Sequence, residues 1–192
     1  MRWSGLAATV LALQLGACGP NLGDYRVVDV KLVKVFPGDP NSYDSIAEGA
    51  KRFPEFLRIE VSSQFDLSKA ETGGGLYVEG DRCPIKNSDR LIALDVRASD
   101  ELPTEDWLRK VPLRANAVDH KFHYFIYVVP SSPARKVFTN SSDTIDAYDL
   151  QRVPKPICLR LFAPGYYITK SRSRTIEVSA DSIARAFPAR SQ

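Results

Sequence analysis

Short runs in which apolar and polar residues alternate, each closed by a turn signal, constrain this chain more than any other feature. Successive side chains of an extended strand point to opposite faces, so strict alternation buries one face and wets the other. Leu57-Arg58-Ile59-Glu60-Val61 is the cleanest case and predicts a half-buried strand. Val28-Asp29-Val30-Lys31-Leu32 alternates in the same way, and the phase shifts at Val33-Lys34-Val35, where a bulge is expected. Further strands are expected at 76–78 after the Gly73-Gly74-Gly75 turn, at 91–96, at 157–162, and at 166–169 and 175–178. Residues 122–129 are apolar and aromatic on both faces, which predicts a central strand ended by 130–134. A mainly β chain of about seven short strands follows, folded as an antiparallel sandwich or barrel-like domain with short helices. The helices are expected at 44–52, capped by Asp44, at 104–111, capped by Thr104 with Trp107 facing inward, and at the C-terminus. There Asp181 is the expected cap, and Ile183, Ala184 and Phe187 share a face. Residues 139–152 read as a long polar loop.

Ahead of these elements come Arg2, an apolar run from Leu6 to Leu15, and then Gly16-Ala17-Cys18. This region resembles the lipobox of bacterial lipoproteins, with Leu15 in the apolar position and Gly16 and Ala17 in the small ones. The resemblance implies that Cys18 becomes the lipidated N-terminus and that residues 1–17 are removed as a signal peptide. It implies three acyl chains, more than the two-signal threshold for stable membrane anchoring. The apolar run is too short to span a bilayer, which takes about 20 residues. Gly19 stands where an aspartate favours inner-membrane retention, so the implied address is the outer membrane, facing the periplasm. Residues 18–24 then read as a short lipidated tether, and 25–192 as a single β-rich domain.

Loss of 17 of the 192 residues leaves 175, enough to bury a core without metals. The mature chain has 25 Lys+Arg and 23 Asp+Glu, and this balanced surface argues against nucleic acid as a partner. With Cys18 carrying lipid, Cys83 and Cys158 remain, and in an oxidising envelope they are expected to pair as a structural disulfide. Neither lies in a Cys-x-x-Cys motif or beside a histidine, which argues against redox or nucleophilic chemistry.

Candidate sites are few. His120 and His123 are the only histidines, and their odd spacing on a strand sends them to opposite faces, so no metal site is expected. Residues 39–44 carry oxygen ligands in a turn but lack the central glycine and distal glutamate of a calcium loop. Asp143, Asp146 and Asp149, with Tyr148, recur at intervals of three and form either an acidic patch or a solvated loop. Lys170, Arg172 and Arg174 alternate with Ser171 and Ser173 just after Tyr166 and Tyr167. On one strand their charges would stand about 6.6 Å apart, a basic stripe suited to phosphates or carboxylates of a partner. No nucleophile elbow, phosphate loop, dinucleotide fingerprint or zinc helix occurs, and no cofactor is implied.

The expected function is therefore binding: a membrane-anchored envelope lipoprotein that captures an envelope protein, as an assembly factor or an inhibitor or immunity-type protein. The competing expectation is a polysaccharide- or peptidoglycan-binding protein or glycan-active enzyme, with the aromatic residues of 122–127 and Tyr166/Tyr167 as stacking surfaces.

Overall fold

Nine consecutive residues with apolar side chains on alternate positions extend as β2 (Glu55–Ser63), and this strand seeds the first sheet. It pairs antiparallel on one side with β1 (Arg26–Lys34) and on the other with β5 (Lys121–Val128), whose far edge takes β4 (Ala117–Val118). The computed structural model describes residues 21–34, 55–70, 76–86, 89–93, 96–98, 117–136, 144–164 and 170–188. The second sheet is built on β10 (Ile157–Pro164), with β3 (Tyr77–Arg82) along one side. Along the other side β11 (Lys170–Arg172) and β12 (Ile176–Val178) lie end to end. Two-residue pairs complete the described strands: β6 (Ser131–Ser132) with β9 (Tyr148–Asp149), and β7 (Arg135–Lys136) with β8 (Thr144–Ile145). The result is a mainly β, antiparallel architecture with a curled, half-barrel-like sheet and one short C-terminal helix. Of the twelve strands among the described residues, seven are three residues or longer.

The two sheets share one core. Leu57, Ile59 and Val61 of β2 and Tyr124, Ile126 and Val128 of β5 meet Leu159 and Leu161 of β10 and Ile176 and Val178 of β12. The central-strand expectation for 122–129 holds, because the opposite face of β5 is buried too: Phe125, Tyr127 and Val129 cluster with Phe56. Tyrosine hydroxyls tie loops to this core. Tyr124 accepts from the Leu67 amide at 2.8 Å, and Tyr148 donates to the Val129 carbonyl while accepting from the Ile92 amide, both at 3.1 Å.

Several elements depart from the reading of local pattern. The bulge in β1 falls between Val27 and Asp29 rather than at Val33. Val28 is the extra residue and is 52% exposed, while Val27, Val30 and Leu32 face the core and Val33 turns to the second cluster. An edge strand with a partner on only one side absorbs such an insertion more easily than a central one. Among the described residues around the expected strand at 91–96, 89–93 and 96–98 touch their neighbours through single bridges, Arg90 to Asp81, Ala93 to Val128 and Arg97 to Phe125. The polar stretch 139–152 contributes to the core, since β8 and β9 bury Ile145 and Tyr148, followed by Leu150. Helix α1 (Ala180–Ala186) is capped by Ser179, whose hydroxyl accepts from the Ser182 amide, and Asp181 sits in the first turn instead. Its inward face is Ile183 and Ala186, followed by Phe187, with Ala184 exposed. The helices expected at 44–52 and 104–111, the triple-glycine turn and the strand at 166–169 lie outside the described residues.

The start of the domain is the largest departure. Within the expected tether, Asn21 bridges Arg172 in parallel, extending the outer edge of β11. The Leu22 amide donates to the Arg172 carbonyl at 3.0 Å, and the Arg174 amide donates to the Gly23 carbonyl at 3.2 Å. Leu22 is 1% exposed, and the Tyr25 hydroxyl donates to its carbonyl at 2.7 Å. Gly23 has a φ of +96°, a conformation that glycine adopts without steric penalty.

Candidate functional site

Each sequence-level candidate has a place. Cys83, just past β3, and Cys158, in β10, are bonded, with Cα atoms 5.0 Å apart across 75 residues of sequence. Cys18, Tyr166, Tyr167, Asp143 and the turn at 39–44 lie outside the described residues. Asp146 is exposed, and the Asp149 carboxylate accepts from the Gln151 and Arg152 amides at 3.0 Å, so it closes a turn. Tyr148 belongs to the core.

His120 is exposed in the β4–β5 turn, where Asp119 and His120 have φ of 50° and 61°. Two consecutive positive φ values make a tight hairpin connection whose twist matches the flanking strands. His123, inside β5, stands on the outer face of the first sheet with Nδ1 2.8 Å from Glu60 Oε1. On the same face the Arg58 guanidinium lies over the Phe125 ring, 5.4 Å from its centroid. The Lys31 amine lies 2.7 Å from the Asp29 carboxylate, and hydrogen bonding to that amine holds the carboxyl below its ordinary range. Among the described residues, no three His, Cys, Asp or Glu side chains gather as metal ligands. The strongest upward shifts belong to Tyr25 and Tyr124, raised mainly by burial, with Tyr124 pushed up to about 12. The Tyr25 hydroxyl meets the Leu22 carbonyl and the Ser63 side chain, and the Tyr124 hydroxyl meets the Leu67 amide, so both tie neighbouring segments to the core.

A groove of about 610 Å³ runs between β1 and α1, with Asp29, Lys31, Glu177 and Arg185 among its lining. It is open, and its charges have both signs.

The expected basic stripe is not one strand. β11 ends at Arg172, and Ser173 turns inward, buried, with its hydroxyl accepting from the Leu161 amide at 2.9 Å. Arg172 and Arg174 remain exposed on either side of it. Arg172 lies 4.0 Å from Glu79, and Arg174 lies 3.2 Å from Asp24, a pair whose side chains are 75% and 62% exposed. Lys170 occupies the first position of β11.

Arg172 also borders a surface that local pattern did not single out. In register across β3, β10 and β11 stand Tyr77, Phe162 and Arg172, and in the next outward-facing row Glu79 stands opposite Arg160. The Tyr77 and Phe162 rings stack with centroids 5.3 Å apart and an interplanar angle of 24°. Tyr77 is 39% exposed. Each aromatic occupies the phase opposite to the core residues of its own strand, which is legible in sequence; that the two strands pair at that register is not. The arrangement is an aromatic and charged patch on the outer face of β3 and β10. In comparisons with known proteins, no family model, no curated protein and no solved structure matches the chain.

Proposed function

We propose that the protein is a non-enzymatic binding module of the bacterial envelope, held by lipidated Cys18 on the outer membrane and facing the periplasm. It captures an envelope protein on the outer face of β3 and β10. The observation that carries this reading is the stacked Tyr77–Phe162 pair, partly open to solvent and flanked by Arg160 and Glu79. Rigid aromatic area beside arginine is the composition that concentrates binding energy at protein interfaces. One stacked aromatic pair among charges of both signs supports a protein partner, whereas a glycan site would call for a carboxylate pair beside several aromatics. The partner it fits presents an apolar side chain flanked by acid, and the role is that of an assembly factor or an inhibitor or immunity-type protein.

The test is crosslinking and capture of the full-length protein from envelopes, with Tyr77→Ser, Arg160→Glu and Cys18→Ala as comparisons. One abundant partner lost in both face variants is the expected result. The same proteins recovered with Tyr77→Ser and Arg160→Glu as with the parent would refute the face. Metabolic labelling with palmitate, abolished by Cys18→Ala, tests the anchor separately.

A further inference from the structure

The docked N-terminal segment fixes what lies next to the membrane. Asn21, Leu22 and Gly23 are held against Arg172 and Arg174 by backbone hydrogen bonds, and Leu22 is sunk in the core, so the segment has no slack. Only Gly19 and Pro20 separate Asn21 from Cys18. Three Cα steps of 3.8 Å reach at most about 11 Å. With Cys18 acylated, the outer edge of β11 stands within about one Debye length of the bilayer surface at ordinary salt.

That edge is basic. Arg172 and Arg174 are exposed there, and Lys170 opens the same strand. The facing acids are Asp24 and Glu79, and both ion pairs are open to water. Exposed pairs of this kind hold weakly, so their guanidinium groups are free to exchange a carboxylate for a phosphate, which they bind in a bidentate manner.

We infer that Arg172 and Arg174 seat the domain on the phosphate headgroups of anionic glycerophospholipids. The inference rests on the anchored reading of Cys18. The lipid chains supply affinity; the arginines set orientation, laying the β11 edge on the leaflet and leaving the Tyr77–Phe162 face beside it for a partner at the membrane surface. The arginines expected to meet an acidic protein thereby face lipid, and the Tyr77–Phe162 pair faces protein.

The experiment uses residues 18–192 carrying Cys18→Ala, which bears neither the apolar leader nor an acyl chain, sedimented at low salt with vesicles of phosphatidylcholine alone or mixed with phosphatidylglycerol. The expected result is binding to the mixed vesicles only, lost at high salt. From the usual contribution of a basic side chain near an anionic surface, Arg172→Gln/Arg174→Gln lowers partitioning about thirtyfold. Circular dichroism of that variant confirms that it is folded, and Arg172→Glu/Arg174→Glu abolishes binding. Equal sedimentation with both lipids, or undiminished binding by the folded double variants, overturns the inference. Palmitate labelling of the parent reports the anchor alone and the vesicle assay the headgroup alone, so the two readings fail separately.

Discussion

Leu22→Ala tests whether the domain begins where the structure places it. The side chain is 1% exposed in the main cluster, and truncating a buried leucine in a core costs about 2–5 kcal/mol. Here the cavity is small because residues 21–24 can shift away from β11, so the loss is close to the transfer cost of the leucine side chain alone, about 2 kcal/mol. In urea this lowers the midpoint by about 1 M at an unchanged slope, for a slope of about 2 kcal/mol per molar. Hydrogen exchange should lose protection at the Leu22 and Arg174 amides first, since their acceptors lie across the detaching contact. A change below about 0.5 kcal/mol, with those amides already unprotected in the parent, would show that 21–24 is not docked. The reach argument for the membrane-facing edge would then fail with it.

Three further outcomes follow from the same core. Gly23→Ala should destabilise more than an ordinary surface change, because a Cβ there meets the Phe65 Cβ at 2.5 Å at a φ of +96°; an unshifted thermal midpoint would refute the strained placement. Replacing both Cys83 and Cys158 by serine should lower stability by about 4 kcal/mol in the chain-entropy account, given their separation of 75 residues, and thiol titration of the unfolded, unreduced parent should find neither cysteine free. Burial raises the Tyr25 and Tyr124 hydroxyls above the ordinary value of 10.0, so their contribution is complete below that pH and is lost as pH rises, for Tyr124 through about 12. Alkaline titration followed by tyrosinate absorbance should therefore show these two ionising together with unfolding, and the contribution of Tyr124 should vanish in Tyr124→Phe.

The strands at 57–61, 122–128 and 157–162 were legible because each carries its own burial pattern: the side chains that face the core are set by parity along one segment. The disulfide was legible by elimination among three cysteines. Cap identity was harder, since Ser179 and Asp181 both offer an oxygen near the start of α1 and the choice depends on where the preceding β12 releases the chain. The stretch 139–152 misled because polar residues outnumber the few that matter: Ile145, Tyr148 and Leu150 are buried by elements distant in sequence. Within 21–24, Leu22 is the one apolar side chain among residues of turn type, and its burial depends on β11, distant in sequence.

Taken alone, the sequence determined the alternation of the long strands, the mainly β antiparallel class, Cys83 and Cys158 as a pair and the lipobox resemblance, because all of these are read from residue types and their spacing along the chain. Tertiary structure decided what depends on pairing between distant segments. It moved the bulge to Val28, brought Tyr77 onto Phe162, set Glu60 against His123, and laid Asn21–Gly23 along β11. Register between strands is chosen by the whole buried face at once, so no local window contains it.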